Sequence, residues 1–417
     1  MTSPYPTSSD RLLSGGTLAL LGGTAVNGLA GYGFLVIGTR AIGAQAYAPI
    51  PILWTLWSIT VALLTVPIQH WIVRTVRTDG DESGVYAALP TLVGIAVGFA
   101  AITLLITWSA RSTLFRTSDL TLPLLASCIP IGALAVGFLR GVLVERGRLI
   151  TVAVAIAIEN LVRLVGAVLV AAKGGGVIWY AVVLVAGFGI VFFWPRVFVI
   201  RPSTNPTNTH RDRPLAFLAG IAGGSLLAQL ILTTGPIILA TIGGPSAQVT
   251  ALFAALSLFG APYLIALGAA PQLTKALTGK VVDGRDTYLR RVRVMILTFG
   301  VVGGAVAGVF GAVAGRLLVT AFFGAEVTLP TACYVAIAAA STLALATLAQ
   351  SLVLVARGRG RALTASWSIA SVAYVGLAYI PVGGAAVRVT VALALAEVVA
   401  LIALLSTEQR PARAAGA

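Results

Sequence analysis

Histidine and cysteine are nearly missing from this chain, with two of each in 417 residues. That removes the His/Cys clusters of metal sites and the nucleophile–base arrangements that need an imidazole. His70 and His210 fall at or beyond the ends of apolar runs. Cys128 and Cys333 fall inside such runs, where they read as packing residues and not as a disulfide. Carboxylates are scarce too, 13 against 28 Lys and Arg, and no two have the spacing of an acid/base couple. No glycine-rich loop would cradle a phosphate, and no outer loop is long enough to house headgroup chemistry. The composition predicts a protein that is not an enzyme and holds no cofactor and no metal. Charged residues make up 10% of the chain against 58% hydrophobic, with a mean hydropathy of +0.98, which excludes an ordinary soluble domain. No cleavable signal is evident, because the polar opening through Asp10 and Arg11 leads into an ordinary long apolar run.

What the chain has in abundance is apolar runs of about 20 residues, the length that spans a hydrocarbon core of about 30 Å at a rise of about 1.5 Å per residue. Lipid offers no partner to a free amide or carbonyl, so the backbone there is helical. Twelve spans are predicted, beginning near residues 16, 50, 87, 120, 149 and 177 and, after a break, near 215, 247, 294, 329, 363 and 387. The break at 201–214 is rich in Ser, Thr, Asn, Pro and Arg, the composition of a solvated connection. The expected organisation is an N-terminal six-helix lobe at 1–200, a cytoplasmic linker at 201–214 and a C-terminal six-helix lobe at 215–417.

Basic residues set the orientation. With the N-terminus inside, 21 of the 28 Lys and Arg fall on the cytoplasmic side, six fall outside, and Arg163 is intramembrane. This bias places both termini in the cytoplasm. The net charge of +15 then needs no nucleic acid. Basic loops beside a bilayer meet anionic lipid heads first. The excess of Arg over Lys, with abundant Ala, Gly and Val, points to a bacterial plasma membrane.

The sequence also repeats itself. Gly22, Asn27, Gly33 and Thr39 have counterparts 202 positions later in Gly224, Gln229, Gly235 and Thr241. The hexapeptide from Leu143 to Arg148 returns, with one change, from Leu354 to Arg359, 211 positions later. An even number of spans in each copy makes the two copies parallel repeats. The extra residues of the second copy are expected in a longer basic loop from Lys275 to Arg293.

Polar residues inside the spans are the candidates for function. Asn27 and Gln229 are matched amides on the first and seventh spans, and two readings stand: they line a central cavity, or they are interhelical hydrogen-bond glue. Gly31 and Gly33 loosen the first span, and Gly235 with Pro236 bends the seventh, which makes these four the hinge candidates. Glu159 and Arg163 lie one turn apart in the fifth span beside Asn160. Charges at that depth must face protein or water, and they serve there as a phosphate site or as a structural clamp. Their counterparts, Ala370 and Tyr374, are uncharged. Glu397 is a lone carboxylate in the last span, read as a buried, protonated hydrogen-bonding group. Arg40 and Arg74 bracket the first hairpin, as loop anchors or as cavity rims. Trp71, Trp108, Trp179 and Trp194 read as an aromatic belt.

The stretch from Gly33 through Arg77 carries Thr39-Arg40-Ala41-Ile42-Gly43, a turn with Tyr47, and a second span ending Pro67-Ile68-Gln69 before Arg74. Pro271-Gln272 echoes that ending in the second half. This pattern resembles the polysaccharide-exporter branch of the multidrug/oligosaccharidyl-lipid/polysaccharide (MOP) flippase superfamily. The resemblance implies an all-α integral membrane protein of about twelve transmembrane helices in two parallel, pseudo-symmetric six-helix lobes with a MATE-like V shape. It implies a flippase that moves a lipid-linked oligosaccharide (a polyprenyl-pyrophosphate sugar) by alternating access, with glycan-assembly proteins as partners. It places Asn27, Arg40, Arg74 and Gln229 near the substrate path, with Arg163 a further candidate. The chain departs from the family pattern in having no charge in the core of its first, second, seventh and eighth spans. The turn from Arg74 to Glu82 does not fit the major-facilitator signature. A small-molecule efflux transporter and a non-transporting scaffold of an envelope complex are the alternative readings.

Overall fold

The computed structural model describes residues 15–79, 82–199, 223–283 and 286–409. The predicted linker at 201–214, with His210, lies outside them. The described residues are mostly helical, with no strand among them. Helix α1 is Gly15–Tyr47, α2 Pro49–Val76, α3 Leu89–Ser109, α4 Thr121–Glu145, α5 Leu149–Ala172 and α6 Val177–Phe193. Helix α7 comes in two pieces, Gly223–Thr233 and Gly235–Thr241, and α8 in two more, Ser246–Phe259 and Ala261–Val282. Then follow α9 Thr287–Phe323, α10 Thr331–Ala356, α11 Gly360–Tyr379 and α12 Ala385–Gln409. Eight of these are long and apolar enough to cross a membrane, nine when α8 is taken as one span bent by 48°. The others are α1, the short α6 and the broken α7. The protein is a multi-pass membrane protein.

The helices pack as two compact units. Unit 1 comprises Met1–Ala41, Leu56–Arg111 and Thr117–Ala222; unit 2 comprises Ile42–Thr55, Ser112–Arg116 and Gly223–Ala417. The tip of the α1–α2 hairpin thus packs with the second half of the chain, a feature absent from the sequence analysis. Its apolar residues Tyr47, Ile50, Ile52 and Leu53 are buried, and the Thr250 hydroxyl donates to the Ala44 carbonyl at 2.6 Å.

The fourth and fifth helices have corresponding neighbours in the two units. In unit 1, α4 touches α2, α3, α5 and α6, and α5 also touches α6. In unit 2, α10 touches α8, α9, α11 and α12, and α11 also touches α12. The leading helix meets the fifth through small residues in both. A Cβ on Gly23 would lie 2.7 Å from the Ala153 carbonyl oxygen, and one on Gly224 would lie 2.7 Å from Leu363. Such close approach is how helices associate where lipid removes the hydrophobic drive.

The repeated hexapeptide has a structural meaning. After α4, Gly147 takes φ +70°, the Arg148 amide donates to the Leu143 carbonyl and the Gly147 amide to Val144. After α10, Gly358 takes φ +70°, with Arg359 donating to Leu354 and Gly358 to Val355. Both are Schellman caps, which need a residue without Cβ at the left-handed position.

Some expectations are corrected. The predicted basic loop Lys275–Arg293 is largely helix, because α8 runs on to Val282 and α9 starts at Thr287. At 37 residues, α9 is about 55 Å long, more than a bilayer core needs, so its basic first turns continue beyond the hydrocarbon. Trp71 is buried at 2% exposure and is not a belt residue, whereas Trp108 and Trp179 are exposed. Cys333 is buried, but Cys128 is exposed on the outside of α4 and packs in no core; both are free thiols.

Candidate functional site

A polar cluster surrounds α5 in unit 1. Its centre is Arg163, fully enclosed. Helical spacing of four puts Glu159 on the same face one turn earlier, and the two form an ion pair at 2.9 Å. A second cation missed from the sequence completes the pair: Arg140 of α4 reaches Glu159 at 2.6 Å. Arg140, one of the 21 cations that the charge bias assigns to the cytoplasmic side, lies inside α4, before that helix ends at Glu145. One buried carboxylate therefore serves two guanidinium groups, which spreads the cost of desolvating it.

The rest of the guanidinium is used as well. Arg163 Nε donates to the Leu184 carbonyl at 2.9 Å, where α6 tightens into 3₁₀ geometry at Gly187. A Cβ on Gly187 would lie 2.4 Å from that Nε, so only glycine admits the arginine here. Trp57 and Phe188 place ring faces 4.9 and 5.5 Å from the guanidinium carbon. Aromatic faces favour a desolvated cation. Arg163 Nη1 donates to Asn160 Oδ1 at 2.6 Å, and Asn160 Nδ2 donates to the Asn27 backbone carbonyl at 3.2 Å and to Asn27 Oδ1 at 2.8 Å.

The structure thus brings together Asn27, Glu159, Asn160 and Arg163. Asn27 alone of the four is only half-buried. Arg163, with no exposed surface, reaches anything outside the fold only through its neighbours. Arg40 and Arg74 are exposed, near opposite ends of the α1–α2 hairpin. Gln229 is half-buried in unit 2, where its backbone carbonyl accepts the Thr233 hydroxyl at 2.8 Å. Gly31 and Gly33 lie in continuous helix; the departure from helical geometry in α1 is at Gly43, φ +80°. Gly33 instead makes room for Leu164, which a Cβ would approach to 2.8 Å. Gly235 and Pro236 begin the second piece of α7, just after the interruption at Thr234. Glu397 is fully buried in unit 2 and accepts the Thr347 hydroxyl at 2.8 Å; its other oxygen has no hydrogen-bond partner among the described residues.

Just after α4, in unit 1, Arg146 pairs in fork geometry with Glu82 at 2.8 and 2.7 Å. The Arg146 side chain is 10% exposed, so it is engaged with protein. The Glu82 hydrogen bonds raise its pKa above the usual arginine value. Tyr86 fastens the same corner by donating to the Val197 carbonyl at 2.6 Å.

No protein-family model matches the sequence, and no curated protein does. Solved structures do match it. An inward-facing multidrug resistance MATE family transporter of the MOP superfamily aligns over 92% of this chain and 94% of its own, with a TM-score of 0.67 at 15% identity. A MOP superfamily transporter from Pyrococcus furiosus, described as having a binding pocket of reverse polarity, aligns over 97% and 98%, with a TM-score of 0.61 at 17% identity. A MATE protein in complex with MaL6 covers the same shares, with a TM-score of 0.60 at 16% identity. At such identities the likeness is one of fold. The chain has the all-α MATE fold, with about twelve membrane helices in two lobes.

Proposed function

We propose that this protein is a membrane transporter that works by alternating access and flips a lipid-linked oligosaccharide for cell-surface polysaccharide synthesis. The observation that carries the transporter reading is the likeness of fold to transporters over more than nine-tenths of both chains. The substrate class rests on the polysaccharide-exporter pattern from Gly33 through Arg77 and on the kind of polar group offered. The head of such a lipid cannot cross hydrocarbon unaided, since each unpaired polar group costs about 2–7 kcal/mol to bury. Half-buried amides such as Asn27 and Gln229 suit sugar hydroxyls, and exposed cations such as Arg40 and Arg74 suit a pyrophosphate. The interruption of α7 at Thr234 and the non-helical Gly43 in α1 supply places for helices to bend. In this reading the Glu159–Arg163 pair holds the site together and does not itself touch substrate.

The test is reconstitution. Proteoliposomes carrying a labelled polyprenyl-pyrophosphate oligosaccharide should show faster exposure of the label on the far leaflet than empty liposomes, with proton and sodium gradients each supplied. Faster movement of a small organic cation, with no effect on the glycan, would reassign the protein to efflux. No acceleration of either would move it to the scaffold reading.

A further inference from the structure

The hydrogen bonds around Asn160 leave no freedom in which way its amide points. Arginine has donors and no acceptor, so the Asn160 atom facing Arg163 Nη1 at 2.6 Å must be the carbonyl oxygen. A backbone carbonyl has no proton, so the Asn160 atom facing the Asn27 carbonyl at 3.2 Å must be the NH2. Two independent neighbours on opposite sides thus give the same answer. The NH2 that serves the Asn27 backbone also meets the Asn27 side chain at 2.8 Å, and what it meets there must be an acceptor, Oδ1. Asn27 is therefore turned with its oxygen inward and its NH2 away from the cluster. That NH2 has no hydrogen-bond partner among the described residues, and Asn27 is only half-buried.

We infer that Asn27 is a donor-only contact for the transported molecule, with its polarity fixed from inside the protein by Arg163 acting through Asn160. An asparagine free to turn offers a donor or an acceptor as required. Held this way it offers only N–H, and it selects a group rich in oxygen acceptors over an ammonium or other donor. Asn160 is a positioning residue. The orientation stands on geometry alone; the identity of the acceptor, a pyrophosphate or a sugar oxygen, rests on the flippase reading.

Two measurements separate these layers. In protein with ¹⁵N-labelled asparagine side chains, the NH2 resonance lost in Asn27→Asp belongs to Asn27. It should exchange with solvent faster than that of Asn160, assigned in the same way from Asn160→Asp. Protection of the Asn27 NH2 equal to that of Asn160 would overturn the inference, whether or not the protein moves glycans.

The second measurement is binding, with three probes: polyprenyl-pyrophosphate oligosaccharide, polyprenyl pyrophosphate without the sugar, and an organic dication. Asn27→Asp keeps an oxygen for Asn160 and replaces only the outward N–H donors. It should weaken whichever acceptor probe binds by about tenfold or more, and weaken it more than Asn27→Ala does. Binding of the dication should not fall. Asn160→Asp presents an acceptor to Asn27 and should turn its amide round, shifting the ratio of acceptor to dication binding in the same direction. Loss of the sugar-bearing probe alone places the acceptor on the sugar; loss of both places it on the pyrophosphate. Equal weakening of all probes by Asn160→Asp would mark it as merely structural and sink the positioning role. If neither acceptor probe binds wild-type protein while the NH2 exchange is as expected, the flippase reading falls and the orientation stands.

Discussion

The fifth helix of each unit holds the same place among its neighbours, yet α5 carries Glu159, Asn160 and Arg163 where α11 carries Ala370, Ser371 and Tyr374. In unit 1 the ions tie α5 to α4, to α6 and, through Asn160, to Asn27 on α1. In unit 2 the corresponding positions are closed off: Tyr374 is buried with its hydroxyl beside Gly235, and Ser371 bonds back to its own helix at Trp367. Helix packing survives this change because it depends on small residues along the leading helix, which both copies keep. The polar chemistry does not survive it. The comparison teaches that the duplicated part is the scaffold, while the half-buried amide with an ionic backing belongs to one copy.

The strongest way to break that contrast is to remove Arg163. Arg163→Ala leaves the Leu184 carbonyl and Asn160 Oδ1 without their donor and opens a cavity. It also strips one of the two cations from Glu159. A loss of about 3–5 kcal/mol in denaturant unfolding is expected, as for one partner of a buried pair. The double variant with Glu159→Ala should recover part of it, since no under-compensated carboxylate remains. Arg140, at 16% side-chain exposure, can then turn outward. Equal stability of the single and double variants would show that the pair is not coupled. At the uncharged counterpart, Tyr374→Phe should cost under about 1 kcal/mol, because the ring and its packing are kept.

A smaller effect sharpens the comparison from the other side. Glu397 is the buried carboxylate of unit 2, and its partner is a hydroxyl, not a cation. Glu397→Gln preserves the shape and still accepts from Thr347, so unfolding should shift by less than about 1 kcal/mol. Glu159→Gln, which removes the charge from two ion pairs, should cost severalfold more. If Glu397→Gln proves as damaging as Glu159→Gln, Glu397 works as an ionised group and the two units are more alike than their side chains look.

Much of this was legible in the chain itself. Apolar runs of membrane length placed the helices because lipid permits no other backbone. The repeated hexapeptide was visible because its cap needs glycine at one position. Glu159 and Arg163 could be paired by spacing, since both sit on one helix. The partners that complete the cluster could not be read that way. Asn160 meets Asn27 across 133 positions, and Arg140 meets Glu159 from a neighbouring helix. Helix periodicity says which face a residue is on, not which helix that face will meet. Arg140 was hidden further by the basic loop just after it. Gly187 gave only a weak signal, one glycine in a glycine-containing apolar segment, although a Cβ there would run into the guanidinium.

The smallest expected effect lies where the fourth helix of each copy begins. Before α4 stands Asp119; 211 positions later, before α10, stands Pro330. Asp119 Oδ1 accepts the Thr121 amide at 3.1 Å and the Thr121 hydroxyl at 3.0 Å, satisfying groups that the first turn leaves open. Pro330 starts its helix by conformation, with φ −55° already set. The two devices differ in their response to acid. The Thr121 hydrogen bonds hold the Asp119 pKa below the usual carboxylate range. A pKa lowered by folding contributes stability that is present above the unfolded value of about 3.9 and lost as pH falls through the folded value. Asp119→Ala should therefore lower the Tm slightly at about pH 6, and the gap to wild type should narrow as pH falls below the unfolded value of about 3.9. Pro330→Ala should show a gap that does not change over that range, since nothing at that position titrates. A pH-independent gap for Asp119→Ala would mean that its carboxylate does not cap α4, and that both copies start their fourth helix by backbone geometry alone.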